Sequence, residues 1–227
     1  MTRYAIIVAG GKGVRMGGDV PKQFRLLCGR PVLMHTIEAF RAAYADIRLI
    51  MVLPAAQHAY WKSLCVEHRF DTPLATADGG ETRFHSVKNG LSLIPMDAEG
   101  LVAVHDGVRP LVDVGTIHCC FEQAERSGAA VPVTPVVETL RSILPEGGSQ
   151  TVDRSCYCLV QTPQVFRIDL LREAYRQPYQ STFTDDASVV EALGATVSLV
   201  EGNRENLKLT TPADLLLAES VLRSRTQ

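Results

Sequence analysis

The sequence predicts an α/β fold with a mostly parallel sheet covered on both faces by helices, and three observations carry that prediction. Apolar runs of strand character alternate with helical patterns along the whole chain. With 227 residues, 46% hydrophobic and 21% charged, the chain has enough apolar surface for a sizeable core and no visible linker dividing it. Glycine-rich polar segments follow the first, third and fourth strand-like runs, where open α/β sheets bind ligands.

Taken in order, residues 3–9 read as a buried strand that runs straight into "VAGGKGVRMGGDVPKQF". Residues 32–43 follow as a helix, 47–53 as a strand, 55–69 as a helix and 74–77 as a strand. Residues 82–93 are helical, 101–105 a strand, 116–127 a helix and 129–133 a strand. The rhythm then breaks: 139–144 and 151–155 alternate around Pro145-Glu146-Gly147-Gly148, which reads as a β-hairpin arm. A lone hairpin is marginal in water, so the arm, placed within 136–158 of a single 1–227 domain, is expected to pack on something, a second subunit being one choice. Helices at 168–175, 185–193 and 212–223 and a strand at 196–200 complete the chain, with Thr184 as the N-cap of the 185–193 helix. Right-handed crossovers place the C-terminal ends of the parallel strands on one edge.

Composition narrows the function. A formal net charge of −2 gives no support for general nucleic-acid binding. No apolar run approaches the roughly 18 residues of a membrane span, and no signal-peptide pattern opens the chain, so a cytoplasmic protein is expected. Cys28, Cys65, Cys119, Cys120, Cys156 and Cys158 fit neither zinc spacing nor a secreted disulfide framework and read as reduced cytosolic thiols.

The glycine loop lets backbone N–H groups converge on an anion, and Lys12, Arg15 and Lys22 surround it with charge suited to a triphosphate. Neither a Walker A loop nor the GxGxxG fingerprint fits: after Gly11 and Gly13 the next glycine, Gly17, comes one position late. Arg15 and Lys22 are the candidates for stabilising charge that grows on an attacked α-phosphate; the plainer alternative is two surface cations. Asp106, at the end of "LVAVH", suits Mg²⁺ held together with substrate phosphates, or else a pairing with Arg109. His105 beside it reads as structural. In "DGGETRFHSV", Gly79 and Gly80 permit close approach to a base or ribose, and Thr82 caps a helix carrying Arg83 and Ser86. Arg154, Lys208 and Thr139 are unremarkable when each is taken alone.

Read together, "VAGGKGVRM", "PKQF", "DGGETRFHSV", "HDGVRP", "VDR", "TPQ", "TDDAS" and "NLKLT" resemble the 2-C-methyl-D-erythritol 4-phosphate cytidylyltransferases of the non-mevalonate isoprenoid pathway, over 5–211. The resemblance implies a Rossmann-like three-layer αβα nucleotidyltransferase domain, with a protruding β-hairpin arm exchanged in a homodimer. It implies transfer of a cytidylyl group from CTP to the polyol phosphate, with Mg²⁺ and release of pyrophosphate. Ala9, Gly10, Gly11, Gly80, Glu81, Ser86 and Asp106 match positions that hold CTP or its metal, with Asp106 the metal ligand. Arg15 and Lys22 match the transition-state pair, and Arg154 and Lys208 the cations that place the sugar phosphate, with Arg109 and Thr139 nearby. By the same resemblance, Thr139 and Arg154 reach the site from the partner subunit. The chain departs from the family's usual HDAARP in carrying Gly107 and Val108. The sister activity that loads ribitol 5-phosphate with CTP shares these motifs and is the alternative. A nucleotide-binding module without catalysis is a further reading, opposed by the presence of Arg15, Lys22, Arg154 and Lys208.

Overall fold

A computed structural model describes residues 1–10 and 20–225. In chain order its first half comprises β1 (Arg3–Val8), β2 (Leu26–Leu27), β3 (Arg30–Pro31), α1 (Val32–Ala43), β4 (Arg48–Leu53), α2 (His58–Glu67), β5 (Ala75–Asp78), α3 (Arg83–Leu91) and β6 (Leu101–Asp106). The second half adds α4 (Val114–Ser127), β7 (Ala129–Pro135), β8 (Arg141–Ile143), β9 (Ser149–Thr151), β10 (Cys158–Val160), β11 (Gln164–Arg167), α5 (Ile168–Ala174), α6 (Asp186–Glu191), β12 (Ser198–Glu201) and α7 (Pro212–Arg225).

The main sheet runs β10-β7-β11-β6-β1-β4-β5, with β12 also paired to β7. β1 lies between β4 and β6, parallel to both, so the chain winds outward from it in two directions. That reversal makes the C-terminal edge beside Val8 the switch point of the sheet. Side-chain alternation then sorts the core. Ala5 and Ile7 face Ile37 and Phe40 of α1, Trp61 of α2 and Phe121 of α4. Tyr4 and Ile6 face Phe84 and Val87 of α3, Leu171 of α5 and Val189 of α6. Both faces are apolar, which is why the strands read as unbroken apolar runs. A third, smaller cluster joins Leu27, Val32, Val108, Leu111, Leu209 and Ala218, the last of these on α7, beside the ligand edge.

The expected elements stand, with physical corrections. The predicted helix 55–69 opens as a 3-10 turn over Ala55–Gln57, becomes α-helical at His58, and is followed by Arg69 in the left-handed region at φ 50°. The second hairpin strand, expected at 151–155, lies at Ser149–Thr151, in register Arg141↔Thr151 and Ile143↔Ser149. Past it, Asp153 Oδ1 accepts the Ser155 N–H at 3.0 Å and draws the chain into a 3-10 turn, Arg154–Cys156. The N-cap of α6 is Asp185, not Thr184: Asp185 Oδ1 accepts the Ser188 N–H at 2.9 Å and the Ser188 hydroxyl returns to its backbone, a capping box. The antiparallel strands β10 and β11 were not anticipated. They are three and four residues long, and Gln161–Pro163 interrupts them where Pro163 has no N–H to pair. No helix among the described residues is long and apolar enough to cross a membrane.

Candidate active site

A cleft of about 220 Å³ opens at the switch point, lined by Ala9, Gly10, Lys22, Gly80, Glu81, Ser86, Asp106, Val108 and Lys208, with Val8, Gln23, Thr82 and Arg83. Segments up to about 200 residues apart in sequence therefore meet because parallel strands end on one edge. Local chemistry fixes each. Pro21 leads into a 3-10 turn over Lys22–Phe24, and Phe24 is buried edge-on to Tyr60 and stacked on Trp61. Gln23, fully buried, donates to Gln57 Oε1 at 2.7 Å. With both neighbours held inward, Lys22 is left lining the cleft.

Thr82 caps α3 by accepting the His85 N–H at 3.4 Å. The Ser86 hydroxyl donates to the Thr82 carbonyl and accepts the Gly80 N–H, each at 3.0 Å. A Cβ on Gly80 would lie 2.4 Å from the His85 Cβ, so only glycine allows the segment to lie this close to α3. Gly107 is similarly tight: a Cβ there would meet the Ala9 Cβ at 2.8 Å and Leu33 Cδ1 at 3.0 Å. The departure from HDAARP at this position therefore removes an atom for which the chain has little room. Val108 fills the apolar cluster with Leu27 and Leu209 while lining the cleft.

Asp106 is the electrostatic centre. Lys208 Nζ lies 3.0 Å and Arg109 Nε 3.2 Å from its Oδ2, and Arg83 Nε lies 3.6 Å from Oδ1. Burial opposes ionisation of this carboxyl, but Arg83, Lys208 and Arg109 outweigh it and hold its pKa well below the usual carboxylate range. Arg83 itself is fastened from behind, donating at 2.6 Å to the buried Asp186, which also accepts from the Tyr175 hydroxyl at 2.6 Å. Burial disfavours the Arg83 charge, but Asp186 and Asp106 prevail and secure it. His105 is structural, as expected. Its Nδ1 faces the Thr162 hydroxyl at 3.0 Å and its Nε2 the Arg109 carbonyl at 3.2 Å, and burial pushes its pKa down to about 4.

A second recess of about 180 Å³ adjoins the cleft and shares Arg83, Asp106 and Lys208 with it; Arg109, Val160, Gln161, Thr162, Gln164, Thr184 and Asp185 also line it. Thr139 and Arg154 lie elsewhere: both are exposed, and Arg154 donates to the Val137 carbonyl at the root of the hairpin. Gly11 and Arg15 lie outside the described residues. Sequence reasoning gave Arg83 only a helix-terminal role and gave none to Gln23 or Asn206. The "TDDAS" segment held the signal for Arg83, since Asp186 is its buried counterion.

Among the described residues no group of three or more His, Cys, Asp or Glu is placed to hold an ion. Among the described residues Asp106 Oδ1 has its ion pair with Arg83 at 3.6 Å, and it is suited to an ion carried in on phosphates, because Mg²⁺ commonly takes one or two carboxylates and draws its other ligands from substrate and water.

Comparison with known proteins agrees with this geometry. The family model for IspD, 2-C-methyl-D-erythritol 4-phosphate cytidylyltransferase, matches residues 4–224. The chain is 59% identical over 222 residues to the protein of that name from Phocaeicola vulgatus, covering 98% of this chain and 100% of the relative. It is 40% identical to the one from Geobacillus kaustophilus, covering 99% of each. The crystal structure of the Thermus thermophilus cytidylyltransferase superposes with a TM-score of 0.74 at 36% identity, over 96% of this chain and 98% of that one. The Anaerococcus prevotii 4-diphosphocytidyl-2C-methyl-D-erythritol synthase gives a TM-score of 0.83 at 26% identity, over 98% of each. The chain belongs to the 2-C-methyl-D-erythritol 4-phosphate cytidylyltransferase family.

Proposed function

We propose that the switch-point cleft and its adjoining recess carry out cytidylyl transfer from CTP to 2-C-methyl-D-erythritol 4-phosphate, giving CDP-methylerythritol and pyrophosphate. The observation that supports this reading is the sharing of Arg83, Asp106 and Lys208 by the two cavities, which sets them side by side around the same cations. CTP takes the cleft, with its base and ribose toward Ala9, Gly10, Gly80, Glu81 and Ser86 and its phosphates toward Lys22. The polyol phosphate takes the recess, against Lys208 and Arg109.

A phosphate-monoester oxygen attacks the α-phosphorus in line, and pyrophosphate leaves with the broken bond's electrons. With a second pKa of about 6, the monoester is already largely dianionic near neutral pH, so no general base is needed. Catalysis is then positioning plus charge stabilisation, Lys22 and Arg15 meeting the charge that grows on the phosphoryl oxygens. Asp106 would hold Mg²⁺, which when bound neutralises phosphate charge. Thr139 and Arg154 serve the recess of a partner subunit in an arm-exchanged homodimer. A cytoplasmic setting suits a consumer of nucleoside triphosphate.

Pyrophosphate release from CTP and Mg²⁺ tests the function, with methylerythritol 4-phosphate and ribitol 5-phosphate supplied in parallel. Release specific to methylerythritol phosphate is expected, and turnover of ribitol phosphate alone would overturn the assignment.

A further inference from the structure

We infer that Asn206 is a positioning residue for the sugar-phosphate side of the site, setting Arg109 and Lys208 through a buried amide network. The inference rests on the placement of the polyol phosphate given above.

Asn206 is fully buried and touches neither cavity. Its Nδ2 donates to the Thr162 carbonyl at 2.8 Å and to Gln161 Oε1 at 3.3 Å. Both partners are acceptors, and Gln161 is itself oriented by donating from Nε2 to the Asn203 carbonyl at 3.0 Å. The amide can therefore sit only one way round, with its nitrogen toward the two oxygens. The Asn206 backbone carbonyl accepts from Arg109 Nη1 at 2.8 Å, fixing the guanidinium that also holds Asp106. Three residues on, the Leu209 N–H donates to the Val108 carbonyl at 2.9 Å. Lys208 thus stands on a short span pinned at both ends, and its ammonium reaches Asp106 from there. Thr162, gripped through its carbonyl, uses its hydroxyl to accept the Asp106 N–H at 3.1 Å. One residue therefore ties the interruption between β10 and β11 to the loop carrying Lys208 through its side-chain amide, and its backbone carbonyl adds Arg109.

The chemistry predicts a selective fault. Asn206→Asp puts an oxygen against two oxygens, so the 206–209 span must shift, while the Gly80–Ser86 segment and Lys22 are untouched. We expect KM for methylerythritol 4-phosphate to rise about tenfold or more, as for a buried polar contact turned unfavourable, with a clearly smaller rise in KM for CTP, because Lys208 and Asp106 line both cavities while Arg109 lines the recess. Gln161→Leu removes one end of the same link and moves the same constant by less. The double variant falls short of the product of the two effects, because the residues act as a unit. Unchanged KM for the polyol phosphate in Asn206→Asp, or equal rises in both KM values with a lowered Tm, would overturn the inference. If that variant does not fold, Asn206→Ala decides on the same criteria, because Gln161 itself lines the recess and Asn206 does not. Wild-type enzyme inactive with methylerythritol phosphate would instead refute the function.

Discussion

Lys22 owes its place to two buried neighbours, since Gln23 and Phe24 are drawn inward by Gln57 and by Tyr60 and Trp61. A cation held in advance stabilises the transition state without reorganisation, so Lys22→Ala is expected to lower kcat by about 10²-fold, with Arg15→Ala comparable. Single-turnover kinetics on each variant checks this, and unchanged kcat in both would remove them from the mechanism. His105 gives a test by pH. Its folded pKa of about 4 lies below its ordinary 6.5, so as pH falls the unfolded chain takes up the proton first. The stability tied to the neutral ring is complete above about pH 6.5 and is lost progressively toward pH 4, up to about 3 kcal/mol. Asp106, depressed rather than raised, keeps its contribution above the unfolded carboxylate range and loses it only as pH falls below that range, outside the histidine window. Denaturant unfolding from pH 7.5 to 4.5 should therefore give a steeper loss for the wild type than for His105→Gln.

Helix ends connect these residues to the fold. Thr82 caps α3, and Asp113 caps α4 by accepting the Thr116 N–H at 2.6 Å. Alanine at either position is expected to cost about 1 kcal/mol. The two variants should differ in activity: Thr82→Ala loosens the turn that sets Gly80 and Ser86 and raises KM for CTP, whereas Asp113→Ala leaves kinetics unchanged. Thermal unfolding beside initial-rate kinetics separates them. The same contrast explains what the sequence disclosed. β1, β4 and β6 were legible because burial on both faces makes each a continuous apolar run, and Gly80 and Asp106 because they follow such runs. β10 and β11 are too short to show a period. Arg83 and Asn206 were illegible as site elements for another reason: their partners lie far away in sequence, Asp186 being 103 residues from Arg83 and Thr162 being 44 from Asn206. Only tertiary packing makes those pairs.

Across the whole molecule, the arm is the part least accounted for by a single chain. Among the described residues β8 and β9 pair only with each other, and several apolar side chains on and beside the arm lie open, with Ile143 84%, Leu159 55% and Val137 52% exposed. Surface of this kind is usually covered by a partner, and an exchanged arm is a common way to build a two-fold dimer. If arms are exchanged, each active site combines the Lys208 of one chain with the Arg154 of the other. Lys208→Ala and Arg154→Ala chains, each nearly inactive alone, would then complement. In a mixed dimer one site inherits both lesions and the other inherits neither. Equal co-refolding with random assortment should restore roughly a quarter of the wild-type sites. Sedimentation would show a dimer before and after mixing. Failure to recover activity while mixed dimers form would place Arg154 in its own chain's site or outside catalysis altogether. A hairpin deletion that remained an active dimer would show that the arm is neither the interface nor part of the site.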